Sequence, residues 1–190
     1  MSFKKYIFSL LIIFLVLATG CSKKVLITKQ NSNLLNYNFK ILDLKNIDKT
    51  LSNQSYSYYI YTDKKYVAVV TYQSENASIN QYLINKDGTL DLTVPKDTNF
   101  IISLPANRTV AYTWNIKDGI HNGVIQFVNR SWIGIPMPKS EEGKDGANYD
   151  RQNFYFKPIK SGNQKMVMRY EHQTEQRDEF FEVTFNISIE

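Results

Sequence analysis

The chain has 190 residues, a formal net charge of +5 and one cysteine. This length leaves room for one domain of ordinary size and additional segments. The positive charge is small and evenly spread, which argues against a nucleic-acid-binding surface. The 13 tyrosines and 11 phenylalanines favour strands over helices, as do the many Thr, Val and Ile residues. An all-β protein is therefore expected.

The first 20 residues have the pattern of a bacterial export signal. Lys4 and Lys5 precede an apolar run, residues 6–17, that is too short to span a bilayer comfortably. The run ends in Leu17-Ala18-Thr19-Gly20-Cys21, which resembles a lipobox. We therefore predict that residues 1–20 are a lipoprotein signal peptide and that Cys21 is lipidated. An ordinary signal peptide with an incidental cysteine and an uncleaved anchor are the alternatives.

Lipidation of Cys21 would anchor the protein on the extracytoplasmic side of a membrane of the bacterial cell envelope. A diacylglyceryl group and a further acyl chain such as palmitate anchor stably where a single chain is marginal. Because Cys21 is the only cysteine, the mature chain would have no disulfide and would depend on its core for stability. Residues 21–33, rich in Lys, Ser, Gln and Asn, are predicted to form a tether.

Residues 34–83 are predicted to form a β-rich extension. Two Tyr-rich runs, residues 56–61 and 66–72, are separated by Thr62-Asp63-Lys64-Lys65 and are typical of a β-hairpin. Residues 81–85 are a candidate third strand. A lone hairpin is marginally stable in water. We therefore expect this one to extend or cover a sheet of the following domain, or to form a small β-subdomain with the segment before it.

Residues 84–190 contain seven strand patterns separated by turn signals. The last is the clearest, because Phe181, Val183 and Phe185 alternate with polar residues. Seven such strands predict an immunoglobulin-like Greek-key β-sandwich, with Trp114 and Phe156 in its core. The connection at residues 133–150 is long, which indicates function or mobility. The predicted strands are residues 90–94, 100–104, 110–115, 124–129, 153–159, 165–170 and 180–189.

Residues that carry catalysis or bind metals are sparse. His121 and His172 are the two histidines, and neither has a metal-ligand spacing. Asp87-Gly88 and Asp145-Gly146 are typical of turns, because the alternating acidic ligands of a calcium loop are missing. The sequence therefore predicts a protein that is not an enzyme and has neither metal nor cofactor.

Residues 99–114 resemble the chagasin family of cysteine-protease inhibitors. In that family, a strand ending in Leu-Pro leads into an Asn-Pro-Thr-Thr-Gly-Tyr/Phe loop and a short strand carrying Trp. This sequence has Leu104-Pro105, then Asn107-Arg108-Thr109-Val110-Ala111-Tyr112, then Trp114. Residues 88–94 resemble the first strand of the family's domain, and residues 154–170 resemble its last hairpin.

The resemblance implies a sandwich whose three loops at one end fill the active-site cleft of a papain-like protease. The first loop would lie across the catalytic cysteine. The second, glycine-rich in the family, matches best at Gly146. The third carries Arg-Pro-Trp in the family but His172-Gln173-Thr174 here, before a matching Glu175. The implied protease-binding residues are Asn107, Arg108, Thr109, Val110, Ala111, Tyr112, Gly146, His172, Gln173, Thr174 and Glu175.

Two functional hypotheses follow. The first is a membrane-anchored, monomeric inhibitor of papain-like cysteine proteases. The absent Trp of the third loop would lower its affinity, because a buried Trp at an interface contributes about 2–4 kcal/mol. The alternative is a surface lipoprotein, acting in adhesion or envelope assembly, that uses the same sandwich without inhibiting a protease.

Overall fold

The computed structural model describes residues 37–40, 48, 66–83, 87–120, 123–134, 143, 150–175, 177, 178 and 180–190. Within these residues, no helix is long and apolar enough to cross a membrane. The described strands are β1 (Tyr37–Lys40), β2 (Tyr66–Gln73), β3 (Asn76–Leu83), β4 (Gly88–Val94), β5 (Asn99–Pro105), β6 (Tyr112–Asp118), β7 (Ile125–Ile133), β8 (Arg151–Pro158), β9 (Gly162–His172) and β10 (Phe181–Ile189).

The strands form two sheets. A six-stranded sheet has the order β1-β3-β2-β5-β8-β7, and a four-stranded sheet has the order β4-β10-β9-β6. Neighbouring strands are antiparallel except β4 and β10, which are parallel. The prediction of an all-β sandwich is confirmed. All seven strands predicted within residues 84–190 are present, with ends that differ by a few residues.

The core lies between the two sheets. The alternation predicted for the last strand is confirmed in β10, where Val183 and Phe185 are fully buried while Asn186 is exposed. Trp114 and Phe156, predicted to be core residues, are 2% and 1% exposed. Because burial of a large apolar side chain stabilises a fold by about 1.5–3 kcal/mol, this layer dominates the stability of the sandwich.

The outer faces of the two sheets have opposite character. The four-stranded sheet presents polar pairs, such as Arg169 with Glu182 and Asn186 with Asp91. Along its central strands the outer face of the six-stranded sheet is buried, with both apolar side chains such as Val70, Ile79 and Ile101 and polar ones such as Ser103 and Asn153. Asp48 lies against this buried face, where Asn153 and Tyr155 donate hydrogen bonds to its carboxylate. The central strands β5 and β8 are thus buried on both faces, as the strands of parallel sheets usually are and those of antiparallel sheets often are not.

A hairpin of β2 and β3 extends the six-stranded sheet. The run at residues 66–72 is confirmed as strand β2, which pairs with β5. Its hairpin partner is β3, across a two-residue turn in which Ser74 has a φ of 52°. The predicted partner, residues 56–61, lies outside the described residues. The predicted strand at residues 81–85 had the wrong start, because β3 already begins at Asn76 after this tight turn.

Candidate functional site

Three connections lie at the same end of the sandwich. We call them the first loop (residues 106–111, between β5 and β6), the second loop (residues 134–150, between β7 and β8) and the third loop (residues 173–180, between β9 and β10). Pro105 and Ile133 both lie opposite Arg151 in the six-stranded sheet. In the four-stranded sheet, Tyr112 lies opposite His172. Phe181, at the start of β10, lies opposite Tyr170. With this register, the ends of all six strands that flank the three loops lie together.

The first loop is folded by its own asparagine. The Oδ1 atom of Asn107 accepts hydrogen bonds from the backbone N–H of Thr109 at 2.9 Å and from the Thr109 hydroxyl at 2.7 Å. Asparagine favours such turns because its short side chain can accept from the backbone two residues later. The turn exposes Thr109, Val110 and Ala111. The predicted start of the second strand at Val110 was therefore wrong, and β6 begins at Tyr112.

Two side chains of the four-stranded sheet anchor the first loop. The backbone N–H of Asn107 donates to the hydroxyl of Tyr170 at 3.2 Å, and the indole Nε1–H of Trp114 donates to the Pro105 carbonyl at 2.8 Å. Burial raises the pKa of the Tyr170 hydroxyl, although the bond from Asn107 acts in the opposite direction. The loop is therefore fixed to the four-stranded sheet at one point and closed across its base at another.

Arg108 connects the first loop to the second. Its Nε atom donates to the carboxylate of Asp150 at 2.9 Å, and its guanidinium lies 5.9 Å from the centre of the Trp132 ring. The backbone N–H of Ala106 also donates to the Asp150 carbonyl at 3.0 Å. In the family pattern a proline occupies the position of Arg108. Here an ion pair and a cation–π contact limit the loop's freedom where a proline ring would limit φ.

The third loop lies beside the first. The backbone N–H of Gln173 donates to the carbonyl of Ala111 at 2.8 Å. The imidazole of His172 contacts Tyr112 edge to face, with ring centres 5.1 Å apart, and its Nδ1 atom accepts a bond from the Glu175 N–H at 3.0 Å. The predicted grouping of residues 107–112 with residues 172–175 is thus present.

An exposed ion pair follows this contact. Arg177 donates to the carboxylate of Glu175, and side-chain exposures of 50% and 57% place the pair in solvent. The pair lowers the pKa of Glu175 and raises that of Arg177. Together with Arg108 and Asp150, it leaves the tip of the first loop flanked by paired charges.

Gln152 is a site residue that the sequence did not indicate. Its side chain is fully buried and crosses from β8 to β6 on the other sheet. Its Oε1 atom accepts from the Trp114 N–H at 2.9 Å and from the Thr113 hydroxyl at 3.1 Å, and its Nε2 atom donates to the Trp114 carbonyl at 3.5 Å. Gln152 preceded the predicted strand at residues 153–159, and no motif marked it.

Comparison with known proteins identifies the family. A family model described as "Chagasin family peptidase inhibitor I42" matches residues 93–189, half of the chain. The chain belongs to the chagasin family. The matched residues of this chagasin-family domain contain the first and third loops and every strand from β5 to β10.

Two solved structures resemble the chagasin-family domain. The cysteine protease inhibitor EhICP2 from Entamoeba histolytica has 19% sequence identity and a TM-score of 0.43, over 55% of this chain and 88% of that protein. Amebosin has 15% identity and a TM-score of 0.41, over 56% of this chain and 100% of that protein. No curated protein matches the chain.

Family membership confirms the expected class of activity. Chagasin-family proteins are inhibitors that bind papain-like cysteine proteases and are not enzymes, so this domain is a cysteine-protease inhibitor in general terms. Among the described residues, no group of three His, Cys, Asp or Glu side chains could hold a metal ion. The Nδ1 atom of His172 accepts a hydrogen bond from the Glu175 N–H of the third loop. Gly146, His121 and Cys21 lie outside the described residues.

Proposed function

We propose that this chagasin-family chain is a lipid-anchored inhibitor whose first and third loops enter the active-site cleft of a papain-like cysteine protease as one wedge. The observation that supports the wedge is the 2.8 Å hydrogen bond from the Gln173 N–H to the Ala111 carbonyl. This bond makes one continuous surface from two loops that are about sixty residues apart in sequence.

The tip of the wedge suits a closed cleft. Thr109, Val110 and Ala111 are exposed and uncharged, and the Val110 side chain is 43% exposed. A neutral tip is cheaper to desolvate than a charged one, because a buried unpaired charge is strongly unfavourable. The nearby charges of Arg108 and Arg177 are neutralised by Asp150 and Glu175, so they would remain at the rim.

The fixed shape of the first loop supports inhibition over cleavage. The turn at Asn107 and the bonds from Asn107 to Tyr170 and from Trp114 to Pro105 are present in the free protein. Binding therefore orders few additional groups, which leaves more of the contact energy for affinity. A backbone held in this turn resists the extended geometry that attack by a catalytic cysteine requires.

Titration of the full-length chain against papain tests the wedge. Thr109→Arg should raise the inhibition constant at least about 100-fold, because a long charged side chain would be buried without a partner. Thr93→Arg is a matched control, since Thr93 is exposed on β4 and lies opposite Ser188 at the other end of the sandwich. Equal inhibition by the wild type and Thr109→Arg would contradict the wedge.

The lipid anchor rests on the sequence pattern around Cys21. The basic start, the short apolar run and the Gly20-Cys21 junction support lipidation on the extracytoplasmic side of an envelope membrane. Cys21→Ser should abolish acyl labelling and release the protein from the membrane fraction. Unchanged labelling and fractionation would show that the anchor is not at Cys21.

If the wild type inhibits no papain-like protease, the alternative of an adhesion or assembly module is favoured.

A further inference from the structure

Strand β6, which follows the first loop, lies at an edge of its sheet. It pairs with β9 on one side, and its other side has no strand neighbour among the described residues. An edge strand has backbone N–H and C=O groups that require another partner when they are buried. At Trp114, which is 2% exposed, both groups lie on the side of β6 away from β9.

The amide of Gln152 takes the place of the missing strand. It accepts from the N–H of Trp114 at 2.9 Å and donates to the carbonyl of the same residue at 3.5 Å. A primary amide has a donor and an acceptor side by side, so it can pair with one residue's backbone as a neighbouring peptide would. Burial makes this pairing important, because an unpaired buried backbone group is costly.

Gln152 is also joined to the strand that enters the first loop. Its backbone lies opposite Leu104 of β5 in the six-stranded sheet. One residue therefore contacts both sides of the loop, through its backbone before the loop and through its side chain after it. The loop spans only residues 106–111, so a shift of β6 relative to β5 would be passed directly to Thr109 and Val110.

We infer that Gln152 is the positioning residue of the first loop: its side-chain amide fixes β6 relative to β5 and thereby sets the conformation of the loop tip. The inference rests on the proposed inhibitory function for its effect on affinity. The claim that Gln152 fixes β6 relative to β5 does not depend on that function. Without the amide, the tip would populate several arrangements, and the apparent affinity would fall with the fraction that fits the cleft.

The chain supplies a matched control for this inference. Gln164 on β9 is also buried between the sheets, at 2% exposed, but it lies at the opposite end and donates to the adjacent Lys165 carbonyl. Gln152→Met and Gln164→Met make the same chemical change in the same core layer. Gln152→Glu has the same shape as Gln152 and keeps an oxygen for the Trp114 N–H.

The test measures amide hydrogen exchange and inhibition of papain in the full-length chain, at a temperature where each variant is folded. Gln152→Met should speed exchange at Trp114 and in residues 107–112, and should raise the inhibition constant about tenfold or more. Gln164→Met should change neither, and Gln152→Glu should restore slow exchange at Trp114. If Gln152→Met does not fold, exchange at Trp114 and in residues 107–112 is compared in Gln152→Glu and in Thr113→Val. The second variant removes only the hydroxyl bonded to Gln152.

The outcomes separate this inference from the proposed function. If exchange in residues 107–112 and at Trp114 is no faster in Gln152→Met than in Gln164→Met, Gln152 does not position the loop. The inference is also overturned if the wild type inhibits papain and Gln152→Met exchanges faster at these residues but inhibits equally well. The loop position would then not matter for affinity. An inert wild type contradicts the proposed function alone, and the exchange comparison still decides the role of Gln152.

Discussion

The first and third loops lie side by side but are held in different ways. The first accepts support from two side chains of the four-stranded sheet: the hydroxyl of Tyr170 bonds the Asn107 N–H, and the buried indole of Trp114 bonds the Pro105 carbonyl at the end of β5. The described part of the third is held by a backbone bond from Gln173 to Ala111 and by a bond from the Glu175 N–H to the half-buried side chain of His172. The first loop is therefore part of the core architecture, whereas the third is a surface feature attached to it.

This difference explains where the chain keeps the family pattern. Asn107, Thr109 and Tyr112 match the family and take part in the network of the first loop. The family's Arg-Pro-Trp is replaced at His172-Gln173-Thr174, where Gln173 and Thr174 are exposed. In the first loop the matching residues are those that fold the turn or pack beside it, whereas the positions of Arg108, Val110 and Ala111 differ from the family.

The largest expected effect tests the dependence of the first loop on the core. Trp114→Ala should lower the free energy of unfolding by about 3–5 kcal/mol, because the buried ring leaves a cavity and the Pro105 carbonyl loses its donor. Trp132, which is half-buried on the edge strand β7, provides the control. Trp132→Ala should lower the free energy of unfolding by clearly less than Trp114→Ala does. Equal losses in denaturant unfolding would show that the core does not hold the first loop in the way described.

A smaller effect tests the bond that joins the loops. Gln173→Pro removes the N–H that donates to Ala111 and should raise the inhibition constant against papain about tenfold. Gln173→Ala keeps that N–H and should change inhibition little. If the two variants inhibit equally, the bond between the loops does not contribute to binding. The family's proline at this position would thus remove a contact that this chain uses, and Thr174→Trp alone is the better way to restore the missing aromatic anchor.

The parts of the fold that could be predicted from sequence are those with local signals. Alternating apolar residues located β10, and Leu104-Pro105 with Asn107 located the first loop, because strand faces and turns depend on neighbouring residues. The start of β3 was missed since Asn76 follows a turn, Ser74-Glu75, that lacks the usual glycine.

Features set by distant contacts could not be predicted. The role of Gln152 depends on the edge of β6 facing β8 across the sandwich, and sequence spacing contains no trace of that approach. The buried outer face of the six-stranded sheet is a second case. Ile101 lies in three successive apolar residues of β5, a pattern typical of a strand buried on both faces, but the pattern does not show what covers the outer face.

The smallest expected effect concerns the ion pair of the third loop. Glu175→Gln should change papain inhibition by less than about threefold, because exposed ion pairs contribute little in water. Arg177 lowers the pKa of Glu175 below its ordinary 4.5. A carboxyl group with a lowered pKa in the folded state stabilises above its ordinary pKa, and that contribution is lost as the pH falls through the lowered value. The control is Glu182→Gln, a change on the outer face of the four-stranded sheet. The ratio of the inhibition constant of Glu175→Gln to that of Glu182→Gln should therefore be constant between pH 5 and pH 8. A ratio that changes steadily across this range would show that Glu175 titrates above its ordinary pKa, which would contradict its ion pair with Arg177.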